Sequence, residues 1–523
     1  MKRTRIAVSI LAAGFVLPAV ASAAPFTCPS RGGEIVFGQE ANVNSLDQMT
    51  SSTISTRNIA MNIYESLMTR DENNHPILEL AESMEEAPDG LTYTFKLRRG
   101  ITFHNGKPMT SADVVASFNR YNRIGLQRST LDNVAGWEAP DPYTFIIRMK
   151  RVQPTFIEAL SSFSVPIVII PAEHENDERQ QLRTVGTGPF RLLEFVPGSH
   201  ARLGRFDGYQ PNTAFEQRTG FGGYRVACVD TVTFRIVTEA SARVAGLETG
   251  ALQAVEDVPT RSLGNLRNNR DITILPLENW WIQIALPNTS NPPTNNLAFR
   301  RAVQAALGME DIMDAATDGN YRLNVGFQFP GRPAYTDAGK ETYNINDPAR
   351  ARALLRESGY RNEPIIILTN RDYPPMYNAA LVMQQQMRAV GINATLRVVD
   401  WPTSVQMSQR LNSNEWHFYH TGWGTQPALG ALATMQFLVS PNAAYRPRDD
   451  HDDPEVLAAW NAMNNERSAE ARQAAFARMQ RLVLERAYAF PFGSLTKVQA
   501  VRSNVQGFVP FRIPRFSNVW LQQ

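Results

Sequence analysis

The chain has 523 residues, 43% of them apolar and 20% charged, ordinary globular usage that excludes wholesale disorder. Its length allows about three domains of ~100–200 residues and excludes a disulfide-stapled miniature fold. Fifty-two basic side chains oppose 50 acidic ones, so no basic field is present to attract nucleic acid.

The chain opens with the pattern of a secretory signal peptide over residues 1–23. Lys2, Arg3 and Arg5 precede an apolar run at 6–20, and Ala21-Ser22-Ala23 supplies the small residues of a cleavage site, so the mature chain is expected to begin near Ala24. That run is short for ~30 Å of hydrocarbon and is broken by Pro18, which argues against a membrane anchor. Without it 49 basic side chains face 50 acidic ones. No later apolar run approaches ~18 residues, so the mature protein is expected to be soluble. Cys28 and Cys228 are the two cysteines. Pro25-Phe26-Thr27 before Cys28 is not the pattern that precedes a lipidated cysteine. In an oxidising compartment the pair is expected to form a disulfide; two buried free thiols are the other reading.

Residues 33–38 read as a strand, and Ile59, Ile63 and Leu67 predict a helix over 56–69. Leu91, Tyr93, Phe95 and Leu97 alternate with polar residues, the period of a half-buried strand. Asn105-Gly106 makes a tight turn, and Thr110-Ser111-Ala112-Asp113 resembles a capping box that opens a helix carrying Val114, Val115 and Phe118. Strands follow at 143–149, 190–195, 229–236 and 252–255. Helices follow at 154–160 and 240–249, the latter closed by Gly250, and 165–170 is a buried-type run. A second half begins at 282–286. Its helices are 297–307, 347–359, 377–390, 454–465 and 469–488; its strands are 364–369, 392–399, 416–421 and 490–501. Strands alternating with helices in both halves predict α/β lobes.

Four segments carry a family resemblance. The first runs from Asp89-Gly90-Leu91-Thr92-Tyr93-Thr94-Phe95 through Phe103-His104-Asn105-Gly106 to Ser111-Ala112-Asp113-Val114-Val115. The others are Val185-Gly186-Thr187-Gly188-Pro189-Phe190, Asp347-Pro348-Ala349-Arg350-Ala351-Arg352-Ala353-Leu354-Leu355, and Val390-Gly391-Ile392 with Val399-Asp400-Trp401. In order and wording they resemble the large bacterial extracellular solute-binding proteins of the peptide, nickel and opine class (family 5), which serve ABC importers. The resemblance implies two α/β lobes with an interlobe cleft. Lobe one would comprise residues 24–279 together with 490–523, with an extra subdomain near 65–185, and lobe two residues 280–489. Crossings are expected near 279–286 and 487–492, with hinges that let the cleft shut. It also implies a periplasmic monomer that passes a small organic ligand to permease and ATPase subunits, without a cofactor.

Motifs for other chemistry are absent or misspaced. There is no Gly-x-Ser-x-Gly elbow. Gly331 and Gly339 are too far apart for a phosphate loop, and Glu341 stands where Ser or Thr is needed. On a strand, His417 and His420 point to opposite faces, so no metal site is expected there. Glu256-Asp257 is the nearest acid pair for a secreted hydrolase, the rival reading, but neighbours on a strand point apart. A ligand sensor without transport is a third reading. His104, at a hairpin, reads as a surface residue.

The resemblance also suggests ligand contacts. The family's dipeptide binders hold the peptide carboxylate with an arginine two residues before a tyrosine. Asn370-Arg371-Asp372-Tyr373-Pro374-Pro375 occupies that stretch, so Arg371 and Tyr373 are candidates. The other reading of Arg371 is a surface salt bridge to Asp372 or another acid. Those binders also place an aspartate after a Gly-Trp for the α-amino group. Here Gly422-Trp423-Gly424-Thr425-Gln426 lacks it, so a ligand without a free amine is expected, and Glu40 is a candidate replacement charge. Trp423, Gln426 and Trp401 complete the candidate set. The sequence leaves open a peptide, an opine, a glutathione-like conjugate, a sugar or a metal complex.

Overall fold

The computed structural model describes residues 24–522, apart from 74, 333, 411–413, 424–434, 436, 437 and 440–452. An 11-stranded mixed sheet runs through the molecule. Its second-lobe end is Ala394–Val399, Ile365–Asn370 and Phe418–Trp423, paired in parallel in that order. Its first-lobe end centres on Glu34–Gln39, parallel to Thr231–Ile236 and to Ala254–Val255, and is extended antiparallel by His200–Arg205 and Phe190–Val196. Parallel neighbours need crossover connections, and helices such as Ala240–Thr249 and Pro374–Ala389 supply them.

Two strands join the ends. Ile272–Pro287 and Phe490–Arg502 pair antiparallel and belong to both lobes. Their register shifts between Leu277 and Trp281, beside Asn279, whose φ is +55°. Leu495 pairs with Trp281 and Lys497 with Leu277 across that shift. The return is one continuous strand, Phe490–Arg502, where the sequence predicts a strand over 490–501.

The extra subdomain is a four-stranded antiparallel sheet, in the order Ala81–Glu86, Thr92–Leu97, Thr144–Met149, Val134–Asp141. Tyr93, Phe95 and Leu97 point into the core, as their period requires. Helix Ser111–Ile124 packs on it through Phe118, 4.8 Å from the Phe145 ring. The Asp113 carboxylate accepts the Thr110 N–H at 2.8 Å, the capping contact read from the sequence.

The helix expected over 56–69 is shorter, Ile54–Ala60, and Met68–Arg70 is a strand paired with Pro76–Leu78. The carbonyls that would continue the helix are taken: Ile63 O accepts from Gly188 N at 2.8 Å and Asn62 O from Phe190 N at 3.2 Å. That approach requires glycine, since a Cβ on Gly186 would lie 2.2 Å from Ile63 O. The buried run at 165–170 is irregular, tied by one bridge between Ser66 and Val168. The Cys28–Cys228 disulfide is formed, with Cα atoms 5.5 Å apart, and fastens the N-terminal segment beside Thr231–Ile236. Among the described residues no helix is long and apolar enough to cross a membrane.

The apolar core follows the lobes, with one exception. Ala41, Ile54, Phe163, Phe221 and Ile513 of the first lobe pack in the cluster that fills the second. Thr155 Oγ1 donates to Asn464 O at 3.2 Å, again from lobe to lobe. The lobes are therefore in contact across their seam.

Candidate functional site in the seam between the lobes

The floor of the seam is where the two long strands cross. Lys497, 3% exposed, lies there in a buried stretch between Thr496 and Val498. Its Nζ donates to Glu40, lies 3.4 Å from Glu256 Oε1 and sits 4.4 Å above the Trp280 ring. Glu40 leaves the first strand, and its N–H donates to Glu256 Oε2 at 3.1 Å. Asn58 Nδ2 donates to Glu256 Oε1 at 3.1 Å, and Arg243 Nη2 approaches Glu40 at 3.6 Å. Burial pushes the Glu40 carboxyl up to about 8, against the attraction of Lys497. Burial pushes Lys497 down, and Glu256 and Glu40 more than offset this, leaving it above its ordinary value. Asp257 is also raised by burial.

Above this floor stands an aromatic wall. Trp280 and Trp281 on the crossing strand have ring centres 5.9 Å apart. Trp281 meets Tyr373 edge-on at 5.4 Å, and Tyr373 meets Trp401 edge-on at 5.3 Å. Tyr373 ends the loop after Ile365–Asn370, held by its N–H to Asn370 Oδ1 at 3.0 Å; Trp401 starts the helix Trp401–Ser408. Both lie beyond the carboxyl ends of parallel strands, where α/β sheets bind ligands. Asp372 joins the lobes: its carboxylate accepts the Trp401 N–H at 2.8 Å and the backbone N–H of Asn42. A cavity of about 110 Å³ abuts the floor, lined by Glu40, Asp257, Trp280, Trp281 and Lys497 and, from the second lobe, by Pro375.

The structure brings Glu40, Tyr373 and Trp401 together here. Arg371 is exposed; its Nη2 donates to Tyr377 Oη at 3.0 Å and its guanidinium stacks 4.7 Å from that ring, without an ion pair to Asp372. Trp423 ends its strand 9% exposed, 6.4 Å from the Phe327 ring. Gly422 before it carries the Trp281 ring, which a Cβ would meet at 2.5 Å. Gln426 lies outside the described residues. His417 Nδ1 accepts the Ile366 N–H at 3.0 Å, and buried His420 packs 5.4 Å from Phe492. Among the described residues no group of three His, Cys, Asp or Glu is placed to hold a metal ion. His104 is half-buried rather than fully exposed: Nε2 donates to Gly188 O at 3.0 Å, Nδ1 accepts from Gly186 N at 3.3 Å, and desolvation lowers it to about 4.

Sequence reasoning missed Lys497 and Arg243, took Glu256 only as part of an acid pair for the rival hydrolase reading, and passed over buried Arg512, which donates to Trp280 O. Lys497 left one legible signal, a lone cation in a strand otherwise patterned for burial. The arginines left none, because the groups that Arg243 and Arg512 meet, Glu40 and Trp280 O, come from segments distant in the chain.

Two α/β lobes joined by crossing strands, with a buried polar and aromatic seam between them, make a two-lobed ligand-binding architecture. The model for the middle part of the bacterial extracellular solute-binding proteins, family 5, matches residues 75–445, and the chain belongs to that family. It is 25% identical over 495 residues, 91% of this chain and 92% of the relative, to a probable peptide ABC transporter periplasmic-binding protein, y4tO, of Sinorhizobium fredii. It is 27% identical over 437 residues, 82% of each chain, to the glutathione-binding protein GsiB of Escherichia coli. Its fold matches the structure of AgaA, a binding protein from A. tumefaciens R10 solved with agropinic acid, with a TM-score of 0.81 and 22% identity over 94% of this chain and 99% of that one.

Proposed function

We propose that this protein is the substrate-binding component of an ABC import system. It captures a peptide-like, modified amino-acid or opine-like carboxylate in the periplasm and delivers it to the permease and its ATPase subunits. The observation that carries this reading is the seam itself, where Trp280 Nε1, Tyr373 Oη and Trp401 Nε1 are buried without hydrogen-bond partners among the described residues. Buried donors left unmatched cost ~1–3 kcal/mol each, and a bound solute would recover that. Function on this reading is closure rather than chemistry: the cargo shifts the lobes by its higher affinity for the closed state. The names of y4tO and GsiB support a peptide-related cargo.

Glu40, Tyr373 and Trp401 are proposed to line the cargo chamber, with Trp423 and Gln426 contributing from the second lobe. Arg371 takes part only if it leaves Tyr377. Export through the N-terminal signal, a mature start near Ala24 and a monomeric state belong to the same proposal. Mass spectrometry of solute released from protein purified out of its own periplasm tests it, with N-terminal sequencing of the same sample. Recovery of a small carboxylate that rebinds in calorimetry is expected. A chain that retains no solute and binds none of the family's ligand classes would overturn the reading.

A further inference from the structure

Six of the 52 basic residues are lysines, and among the described residues Lys497 is the one lysine that is buried. Elsewhere the chain uses arginine for buried ion pairs. Arg120 grips Asp47 through two bonds of 3.1 and 2.7 Å, Arg225 lies 3.0 Å from Glu79, and Arg515 bonds Glu72 at 2.9 Å. A guanidinium is a planar fork, whereas an ammonium is a compact charge that suits a closed shell of acceptors and ring faces. Such a shell surrounds Lys497 Nζ. It donates to Glu40, lies 3.4 Å from Glu256 Oε1, and has the ring centres of Trp280, Tyr373 and Trp281 at 4.4, 5.7 and 5.8 Å. Two carboxyl groups of the first lobe, two indoles of the crossing strand and a phenol of the second lobe thus enclose one primary ammonium.

Contacts that do not involve Lys497 also hold this shell. Glu256 accepts from the Glu40 N–H and from Asn58 Nδ2, each at 3.1 Å, and Arg243 approaches Glu40 at 3.6 Å. Trp281 Nε1 donates to Gln283 Oε1 at 3.1 Å, and its ring meets Tyr373 edge-on. The shell also opens on the space between the lobes, since Glu40, Trp280, Trp281 and Lys497 all line the cavity of about 110 Å³. A solute amine arriving in that cavity finds these partners already held by an ammonium on the chain itself. A tethered group competes at an effective concentration that a dilute solute does not reach. The arriving amine also meets the charge of Lys497 at short range in a poorly solvated place, where like charges repel strongly.

We propose that Lys497 is a tethered ammonium that fills an amine receptor in the seam, and that it sets specificity by turning away solutes that present a free primary amine to the floor. This rests on reading the chain as a solute-binding protein and names the selectivity of that same site: the cargo is an acid or conjugate whose amine is absent or substituted. The receptor takes its groups from both lobes, so the lysine supplies from within the contact between them that an amine-bearing solute would have to make.

The test uses the mature protein and Lys497→Ala, which deletes three carbons and the ammonium, the heavy atoms of n-propylammonium. That ion is expected to raise the melting temperature of Lys497→Ala saturably, to bind it in calorimetry at least about tenfold more tightly than 1-propanol or propionate, and to leave the parent unchanged. A second arm compares the dipeptide Met-Leu with N-acetyl-Met-Leu. The parent should prefer the acetylated form by about tenfold or more, and Lys497→Ala should move that ratio at least about tenfold towards the free amine. A lysine that only braces the fold would weaken both peptides alike. Solute released from the native protein should carry no primary amine by mass spectrometry. Where Lys497→Ala does not fold alone it should fold in n-propylammonium, and the parent's peptide ratio and released solute need no variant. Failure of n-propylammonium to act beyond 1-propanol, equal binding of the two peptides by the parent, an unmoved ratio in the variant, or a primary amine as the released solute would each overturn the assignment while leaving a solute-binding protein. A parent that releases no solute and binds neither peptide fails the underlying reading, and the selectivity with it.

Discussion

Replacing Lys497 with Met removes the charge at the crossing of the lobes while keeping a stem of similar length against Trp280 and Trp281. Lys497 is the cation between Glu40 and Glu256, all three buried. Taking one partner from such a group strands the others, at a cost of ~3–5 kcal/mol, whereas an exposed pair costs under ~1 kcal/mol. Glu40 keeps its proton up to about 8, so a second replacement, Glu40→Gln, should restore little of the loss at pH 7 and more of it at pH 9, where the carboxyl would otherwise ionise. The pH dependence has a defined sign. An acid raised in the folded state keeps a proton that the unfolded chain has lost, so the Glu40 contribution declines as pH rises from about 4.5 to about 8 in the parent. Without Lys497 the attraction that opposed the rise is gone, and the decline continues above 8. The deficit of Lys497→Met at pH 9 should therefore exceed that at pH 6 by about 1 kcal/mol. Urea denaturation followed by tryptophan fluorescence at the two pH values measures both quantities. A loss below about 1 kcal/mol at pH 7, or a deficit that shrinks with rising pH, would refute the buried-cluster argument.

Three further outcomes are expected. His104 is held neutral at about 4, so the stability it contributes is present above about 6.5 and lost as pH falls towards 4, by about 3 kcal/mol; His104→Gln should flatten that limb of the stability curve. The Cys28–Cys228 bridge closes a 200-residue loop, and the Cys28→Ser/Cys228→Ser double variant should lose ~2–5 kcal/mol in the same denaturation assay. Gly422→Ala puts a Cβ 2.5 Å from the Trp281 ring, so it should cost ~1–3 kcal/mol and weaken calorimetric cargo affinity about tenfold by displacing Trp281 from Tyr373.

Much of the architecture was local and therefore legible. The alternation at Tyr93, Phe95 and Leu97, the Thr110–Asp113 cap, the Gly250 stop with φ +81° and the Asp347 cap each depend on neighbours a few residues away, and each stands in the structure where the sequence placed it. The helix over 56–69 was misread because its end is decided by Gly188 and Phe190, more than 120 residues downstream, which take the carbonyls it needed. His104 was misread for the same reason: the loop that buries it arrives from 186–188.

The candidate site divides along the same line. Family wording marked Tyr373 and Trp401, and Glu40 was read as a replacement charge in the loop after the first strand; the fold gathers the three in one seam. The sequence by itself thus determined the two α/β halves, the return of the chain at its end, the cysteine pair and the family. Only the tertiary structure decided which charges are buried and against what. Arg371 and Arg512 are the same residue type, yet one is exposed on Tyr377 and the other is buried against Trp280, from a segment 232 residues away. Desolvation depends on everything packed within a few ångströms, and for these residues that neighbourhood is assembled by the crossing strands rather than by the chain on either side.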